Sequence, residues 1–296
     1  MNLRALLIGL SLLTSTGTLA QIGNLRAELS RIAEASRGST GIAVRHIEAG
    51  DTISVRGRGH FPMQSVFKFP LALAVLDRVD HGQLMLDKEI CLSVQELATR
   101  TYSPLREAYP KRAGGVTIGE LLRYSVSVSD NLACDVLFRE LGGPKELEKY
   151  LRRLGFKGIA IKATEAQMAK GWNVQYTNWC EPVTMNELLV RFFQGRILRP
   201  ESGILLQKWM LETPTGSARL KGLLPAGTPV MHKTGTSSTN EKGITAATND
   251  AGIITLPDGR HVAITVFVSD SAATQEEREE TIAQAARVVY SYYSKK

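Results

Sequence analysis

Cysteine is scarce in this 296-residue chain: Cys91, Cys134 and Cys180 are the only three, and none falls in a Cys-x-x-Cys arrangement. An odd count leaves at least one thiol unpaired, so a disulfide framework is not what organises the fold. The three are expected to be packing residues, with a disulfide allowed but not indicated. His46, His60, His81, His232 and His261 form no His-x-x-x-His or His-Glu-x-x-His spacing, which disfavours a zinc hydrolase. No metal and no organic cofactor is expected. No basic run is interleaved with aromatics, so nucleic acid is not an expected partner. Beyond residue 20 no apolar stretch approaches a membrane-spanning length, and no internal repeat or low-complexity tract occurs.

The first twenty residues read as an export signal. Arg4 gives a basic start, Ala5 to Leu13 an apolar run, and Thr18-Leu19-Ala20 a small-residue cleavage site. The sequence therefore predicts a periplasmic protein, and no cysteine sits at the cut to take a lipid. Losing Arg4 lowers the formal net charge from +7 to +6, a moderate excess spread along the chain that requires no polyanionic partner. A monomer is expected.

What remains is long enough for one large domain or two small ones. Residues 22–36 carry Leu25, Leu29, Ile32 and Ala33 at helical spacing. Two β-rich runs, 41–47 and 52–55, flank the turn residues Glu48-Ala49-Gly50-Asp51. From Phe61 the pattern is helical for about 150 residues. Thr117 with Glu120 forms a capping box, Gly142-Gly143-Pro144 separates two helices, and Pro70 lies early in a helix where a kink would accommodate it. Residues 162–182 have no sustained period and read as a long ordered loop. Past Gly216 the β character returns, with Pro257-Asp258-Gly259-Arg260 as a hairpin turn, and residues 275–293 close the chain as a helix. The expected organisation is a discontinuous α/β domain from 21–60 and 212–296, with an inserted all-helical domain over 61–211 that contains the 162–182 loop. A cleft between the two would hold the site.

Chemistry concentrates in three short motifs. Ser65-Val66-Phe67-Lys68 heads a buried apolar helix, where residues three apart share a face, so an amine stands one turn from a hydroxyl. A serine hydroxyl attacks only when a neighbour takes its proton, and a lysine can do so. Ser129-Asp130-Asn131 follows the apolar segment 118–128, and Lys233-Thr234-Gly235 ends a short β-like run. Ser-x-x-Lys alone arises by chance, but the three in this order and context are the pattern of class A β-lactamases and penicillin-binding proteins. In an acyl-transfer site Ser65 would be the nucleophile, Ser129 a proton relay, and Asn131 a holder of a substrate amide. Lys233 and Thr234 would receive a carboxylate, with the amides of Ser65 and Thr236 as the oxyanion hole. By itself Lys233 could equally be a solvated lysine.

The whole mature chain resembles a class A serine β-lactamase, and within that family the PER- and VEB-like extended-spectrum subgroup. Gln64, Thr164-Glu165-Ala166, Val174-Gln175-Tyr176, Asn178-Trp179 and Thr236-Ser237 carry that likeness. It implies a serine β-lactamase/D,D-peptidase-like fold of the α/β (α+β) class, an antiparallel sheet with flanking helices and an inserted helical domain. It also implies hydrolysis of penicillins and cephalosporins, with Glu165 activating the water that frees the Ser65 ester. Read without the family, Glu165 is one acid in a polar loop. Tyr102 matches the aromatic beside the cleft, Ser237 lies with the substrate-binding residues, and Arg219 would bring a guanidinium near Lys233, unless it is a surface arginine. Asp135 and Asn178 resemble an exchanged acid and amide pair pinning the loop; two unrelated polar residues is the other reading. Ala166 and Ala169 stand where the family usually has proline and a water-holding asparagine, so the loop should fold differently and hold its water otherwise. A D,D-peptidase, or a sensor that is acylated without turnover, is the alternative. Which of Lys68 and Glu165 drives acylation stays open at this level.

Overall fold

The computed structural model describes residues 22–109 and 114–295. The proposed signal, residues 1–20, lies outside them. Five strands form one antiparallel sheet: β1 (Ser39–His46), β2 (Thr52–Val55), β3 (Val230–Thr236), β4 (Thr245–Thr255) and β5 (His261–Ser271), in the order β2-β1-β5-β4-β3. The chain therefore leaves the sheet after β2 and returns at the far edge as β3. Both predicted hairpins form, the second at Gly259, whose φ of +84° suits glycine.

Side chains alternate across the sheet, so each face has its own core. Ile42, Val44, Ile254, Val262, Ile264 and Val266 pack under helix α1 (22–34) and the last helix of the chain. Met231, Ala251, Ile253, Ala263 and Phe267 face the helices of the middle of the chain. Those are α2 (Lys68–Asp80), α3 (Ile118–Ser127), α4 (Asn131–Leu141), α5 (Pro144–Arg153), α6 (Glu165–Met168), α7 (Pro182–Phe193) and α8 (Pro200–Leu211); α9 (Gln275–Tyr293) closes the chain. Helix α7 lies on β1 and β5, and α8 on β3. No helix among the described residues is long and apolar enough to cross a membrane.

Local signals fix most helix starts. The Thr117–Glu120 capping box opens α3 and Thr274 with Glu277 opens α9. Asp130 caps α4 through Ala133 N at 2.8 Å and also accepts from Ser103 Oγ and Leu105 N. That double use draws the 101–105 segment against the start of α4.

Three expectations change. Ser65 is not on an α-helix: it sits in a 3₁₀ turn, Gln64–Phe67, and α2 begins at Lys68. With three residues per 3₁₀ turn, Lys68 falls directly below Ser65. Pro70 is then the third residue of α2, where the amide would have no intrahelical partner, so no kink is required. Residues 162–182 are less irregular than their sequence, holding α6, a 3₁₀ segment Trp172–Thr177 and the strand Trp179–Cys180, which pairs with Phe61–Pro62 and Ile159–Ala160. Pairings between residues more than a hundred positions apart leave no local period. Lastly, all three cysteines are free; Cys134 and Cys180 are buried as packing residues, but Cys91 is exposed.

Candidate active site

The nucleophile turn is clamped against the edge of the sheet. Asn249 Nδ2 on β4 donates to the carbonyls of Pro62 (2.8 Å) and Met63 (3.2 Å). On β3, a Cβ added to Gly235 would lie 2.3 Å from Met63 O and 3.2 Å from Ser65 N, so only glycine lets strand and turn meet. This contact brings Thr236, the next residue, beside the amide of Ser65. Gln64 is held at φ +48° and Ser129 at φ +60°, left-handed values that non-glycine residues adopt at a cost and that cluster at working sites.

Around Ser65 the predicted residues converge. Ser65 Oγ donates to Glu165 Oε1 at 3.3 Å, and the same oxygen lies 2.9 Å from Lys68 Nζ. Lys68, 0% exposed, also donates to Ser129 O (2.7 Å) and Asn131 Oδ1 (2.5 Å). Its three N–H groups thus have three acceptors. Lys233 Nζ donates to Ser129 Oγ (2.9 Å) and Thr234 O (3.0 Å). Burial, then the charge of Lys68, depress Lys233 to about 7, against the pull of Glu165 and Asp250.

Glu165, 7% exposed, is placed by its backbone. Asp135 on α4 accepts from Glu165 N and Ala166 N, both at 2.8 Å. Asn178 accepts from Lys162 N and Ala163 N and donates to Ala163 O. The acid and the amide both fasten the loop, each through backbone groups of the loop. Burial pushes Asp135 up to about 6, with Glu165 adding to the rise and the two amides opposing it.

A cleft of about 410 Å³ opens over these groups, bordered by Gln64, Asn131, Glu165, Ala169, Trp172, Gln175, Thr236 and Ser237. Tyr102 is 60% exposed, and its carbonyl accepts from Asn131 N. Arg219 is not a surface arginine: it is 4% exposed, and its guanidinium donates to Glu279, to the carbonyls of Gly235 and Asn249, and to Thr236 Oγ1 at 2.7 Å. Its bonds brace the strand rather than reach toward Lys233. Likewise the Thr234 hydroxyl bonds Thr215 Oγ1 at 2.8 Å, and Ser237 Oγ accepts from Ala247 N and donates to Ser238 O.

Chains similar in sequence and in architecture are known. A model of the β-lactamase enzyme family matches residues 24–293. The chain belongs to the β-lactamase enzyme family. This lactamase is 43% identical to β-lactamase VEB-1 of Pseudomonas aeruginosa over 99% of its own length and 98% of that relative's. It is 44% identical to the extended-spectrum β-lactamase PER-1, also of P. aeruginosa, over 96% and 92% of the two chains. A crystal structure of a β-lactamase from Chitinophaga pinensis superimposes with a TM-score of 0.88 at 48% identity, covering 91% of this chain and 99% of that one. The lactamase is a class A serine hydrolase of the kind its motifs announced, and the D,D-peptidase and sensor alternatives are not favoured.

Sequence reasoning missed several supports. Gln64 Nε2 donates to Gln175 Oε1 at 2.5 Å, and Gln175 Nε2 to Trp172 O, which ties the 172–177 segment to the nucleophile turn. Tyr176 Oη bonds Asp270 Oδ1 at the end of β5 at 2.5 Å. Asn249 and Thr215 also went unnoticed. Gln64, Gln175 and Tyr176 lie in the segments on which the likeness rests, but nothing in the sequence showed these bonds, and the positive φ at Gln64 is a structural signal only.

Proposed function

We propose that the lactamase opens penicillins and cephalosporins through an ester on Ser65, with Glu165 as the proton acceptor in both halves of the cycle. The observation that carries this is the single oxygen, Glu165 Oε1, that meets both Ser65 Oγ and Lys68 Nζ. A base needs a lone pair, and Lys68 has three acceptors around its three N–H groups, whereas the carboxylate has electrons to give. In acylation Glu165 takes the Ser65 proton, Ser65 Oγ attacks the lactam carbonyl, and the amides of Ser65 and Thr236 receive the developing oxyanion. Ser129, already bonded to Lys233, passes its proton to the leaving nitrogen and is resupplied, by way of Lys68, with the proton that Glu165 took, so that Glu165 is a carboxylate again. Lys233, Thr234 and Thr236 hold the substrate carboxylate, Asn131 the side-chain amide, and Gly235 admits the substrate close to the strand. Arg219 acts through Thr236, which it orients. Glu165 then takes a proton from water, which attacks the ester; as the acyl bond to Ser65 Oγ breaks, that proton passes to Oγ, which restores both Ser65 and the Glu165 carboxylate.

Bulky cephalosporin side chains fit this reading, because Ala169, Gly171, Ser237 and Ser238 line the cleft with small groups. Tyr102 and Ser237 would flank that side chain. We read 61–211 as the helical domain, 21–60 and 212–296 as the α/β domain, and the protein as a monomer exported to the periplasm. Turnover of a chromogenic cephalosporin tests the hydrolase reading, and Glu165→Ala should slow both halves of the cycle, deacylation by more, so that a slowly formed Ser65 ester builds up and is not released. Steady turnover by that variant would remove Glu165 from the mechanism. Comparable kcat/KM for small and bulky cephalosporins is expected, and a steep preference for small ones would overturn the bulky-substrate reading.

A further inference from the structure

Behind β3, on the face away from the cleft, an imidazole and a carboxylate lie in the apolar layer under α9. His232 and Asp250 are both 0% exposed, and His232 Nδ1 is 2.9 Å from both carboxylate oxygens. Their neighbours on that face are Val230, Ile254 and Ile264. Gly252, opposite His232, makes the room: a Cβ there would come within 2.6 Å of the His232 Cβ. Asp250 also accepts from Leu220 N at 3.3 Å, and His232 Nε2 has no hydrogen-bond partner among the described residues. Two hydrocarbon side chains would fill such a layer at less expense than a desolvated acid, so the charge calls for a use.

The use lies one residue along the strand, on its other face. We infer that Asp250, held by His232 and the Leu220 amide, is a positioning residue for Lys233: an acid buried beneath the strand that favours the Lys233 ammonium binding the substrate carboxylate. This rests on the reading of Lys233 given above. The charged and titratable groups around Lys233 are Lys68 and Glu165 across the cleft, Cys134 on α4, His232 and Asp250 beneath, and Arg219 at the Gly235 carbonyl. Burial holds the Cys134 thiol far above its ordinary range, so it brings no charge. Glu165 loses its negative charge whenever it takes a proton during turnover. The direction agrees with the burial-depressed Lys233, on which Asp250 pulls upward.

The test is kcat/KM against pH for a carboxylate-bearing cephalosporin from pH 5.5 to 9, on the full-length enzyme. In the wild type it should fall as pH rises through the Lys233 value of about 7. Asp250→Asn should move that limb down by about one unit, an approximately tenfold loss at pH 8 with less than about a twofold change at pH 5.5. His232→Leu carries the test should Asp250→Asn fail to fold. It removes the imidazole that holds the Asp250 carboxylate in place, so the limb should move the same way. Lys233→Ala separates the two readings. If it leaves KM and the basic limb intact, the role of Lys233 fails. If it removes the limb while both back-face variants keep the wild-type limb, or lose activity uniformly across pH, Asp250 is structural and the inference is overturned.

Discussion

Asp135 puts stability and activity in opposition, and the opposition can be measured. Its carboxylate is buried on α4 with the amides of Glu165 and Ala166 at 2.8 Å, and burial lifts its pKa from 3.8 to about 6. Because the folded value lies above the unfolded one, the folded protein binds the extra proton between those two pH values. The sign follows: stability from this group is full below about pH 4 and is lost as pH rises through 6. A rise of about two units, at about 1.4 kcal/mol each, makes the ionised form a burden of about 3 kcal/mol at pH 7. Asp135→Asn removes the charge at every pH. At pH 4 the protonated acid and the amide each offer one acceptor, so the two proteins should melt alike. At pH 7 the variant should be more stable by about 3 kcal/mol, a rise in Tm of about 6–12 °C for a chain of this size. It should also be slower, by about tenfold or more in deacylation, because one of the two loop amides loses its acceptor and Glu165 drifts. Calorimetric melts of both proteins from pH 4 to 7.5, with single-turnover rates, check this. A stability gap that stays constant across that range would refute the reasoning.

Other expectations concern the cleft. Glu165→Gln should slow acylation and, by more, deacylation, the latter by about a thousandfold or more, so that a covalent adduct on Ser65 builds up slowly and is visible by intact-protein mass spectrometry. Gly235→Ala should largely abolish acylation by forcing a methyl to within 2.3 Å of Met63 O, and unchanged acylation kinetics would disprove the close approach. Gln64→Ala removes the bond to Gln175, which should raise KM for cephalosporins about tenfold while lowering stability by about 1 kcal/mol. Tyr176→Phe, at an exposed site, should change Tm by only a few degrees, and its effect on kcat/KM should be greater for bulky substrates than for small ones.

The longer helices were legible where a cap or a glycine marked their ends, as at Thr117 and at Gly142, because those signals act over three or four residues, whereas the capping boxes at Ser93 and Thr164 open helices too short to show a period. The residues 162–182 were not, since their short strands pair with Phe61–Pro62, far off in sequence. Ser65 was readable as a nucleophile but not as a residue of a 3₁₀ turn, a geometry imposed by the clamp from Asn249 and Gly235. Arg219 shows the limit most plainly. Its charge type was apparent, but whether that charge met solvent, substrate or the carbonyls of β3 and β4 depended on a turn and two strands folding together.

By itself the sequence determined the chemistry available: a serine with an amine one turn away, a relay serine, a cationic strand end and, through resemblance, a loop acid. Those follow from residue type and short spacing, which the chain carries in any conformation. Only the tertiary structure decided that one oxygen of Glu165 meets both Ser65 Oγ and Lys68 Nζ, and that a buried carboxylate stands behind the strand that carries Lys233. Hydrogen-bond partnership and burial are properties of groups brought together from distant segments, so no local stretch of sequence can encode them.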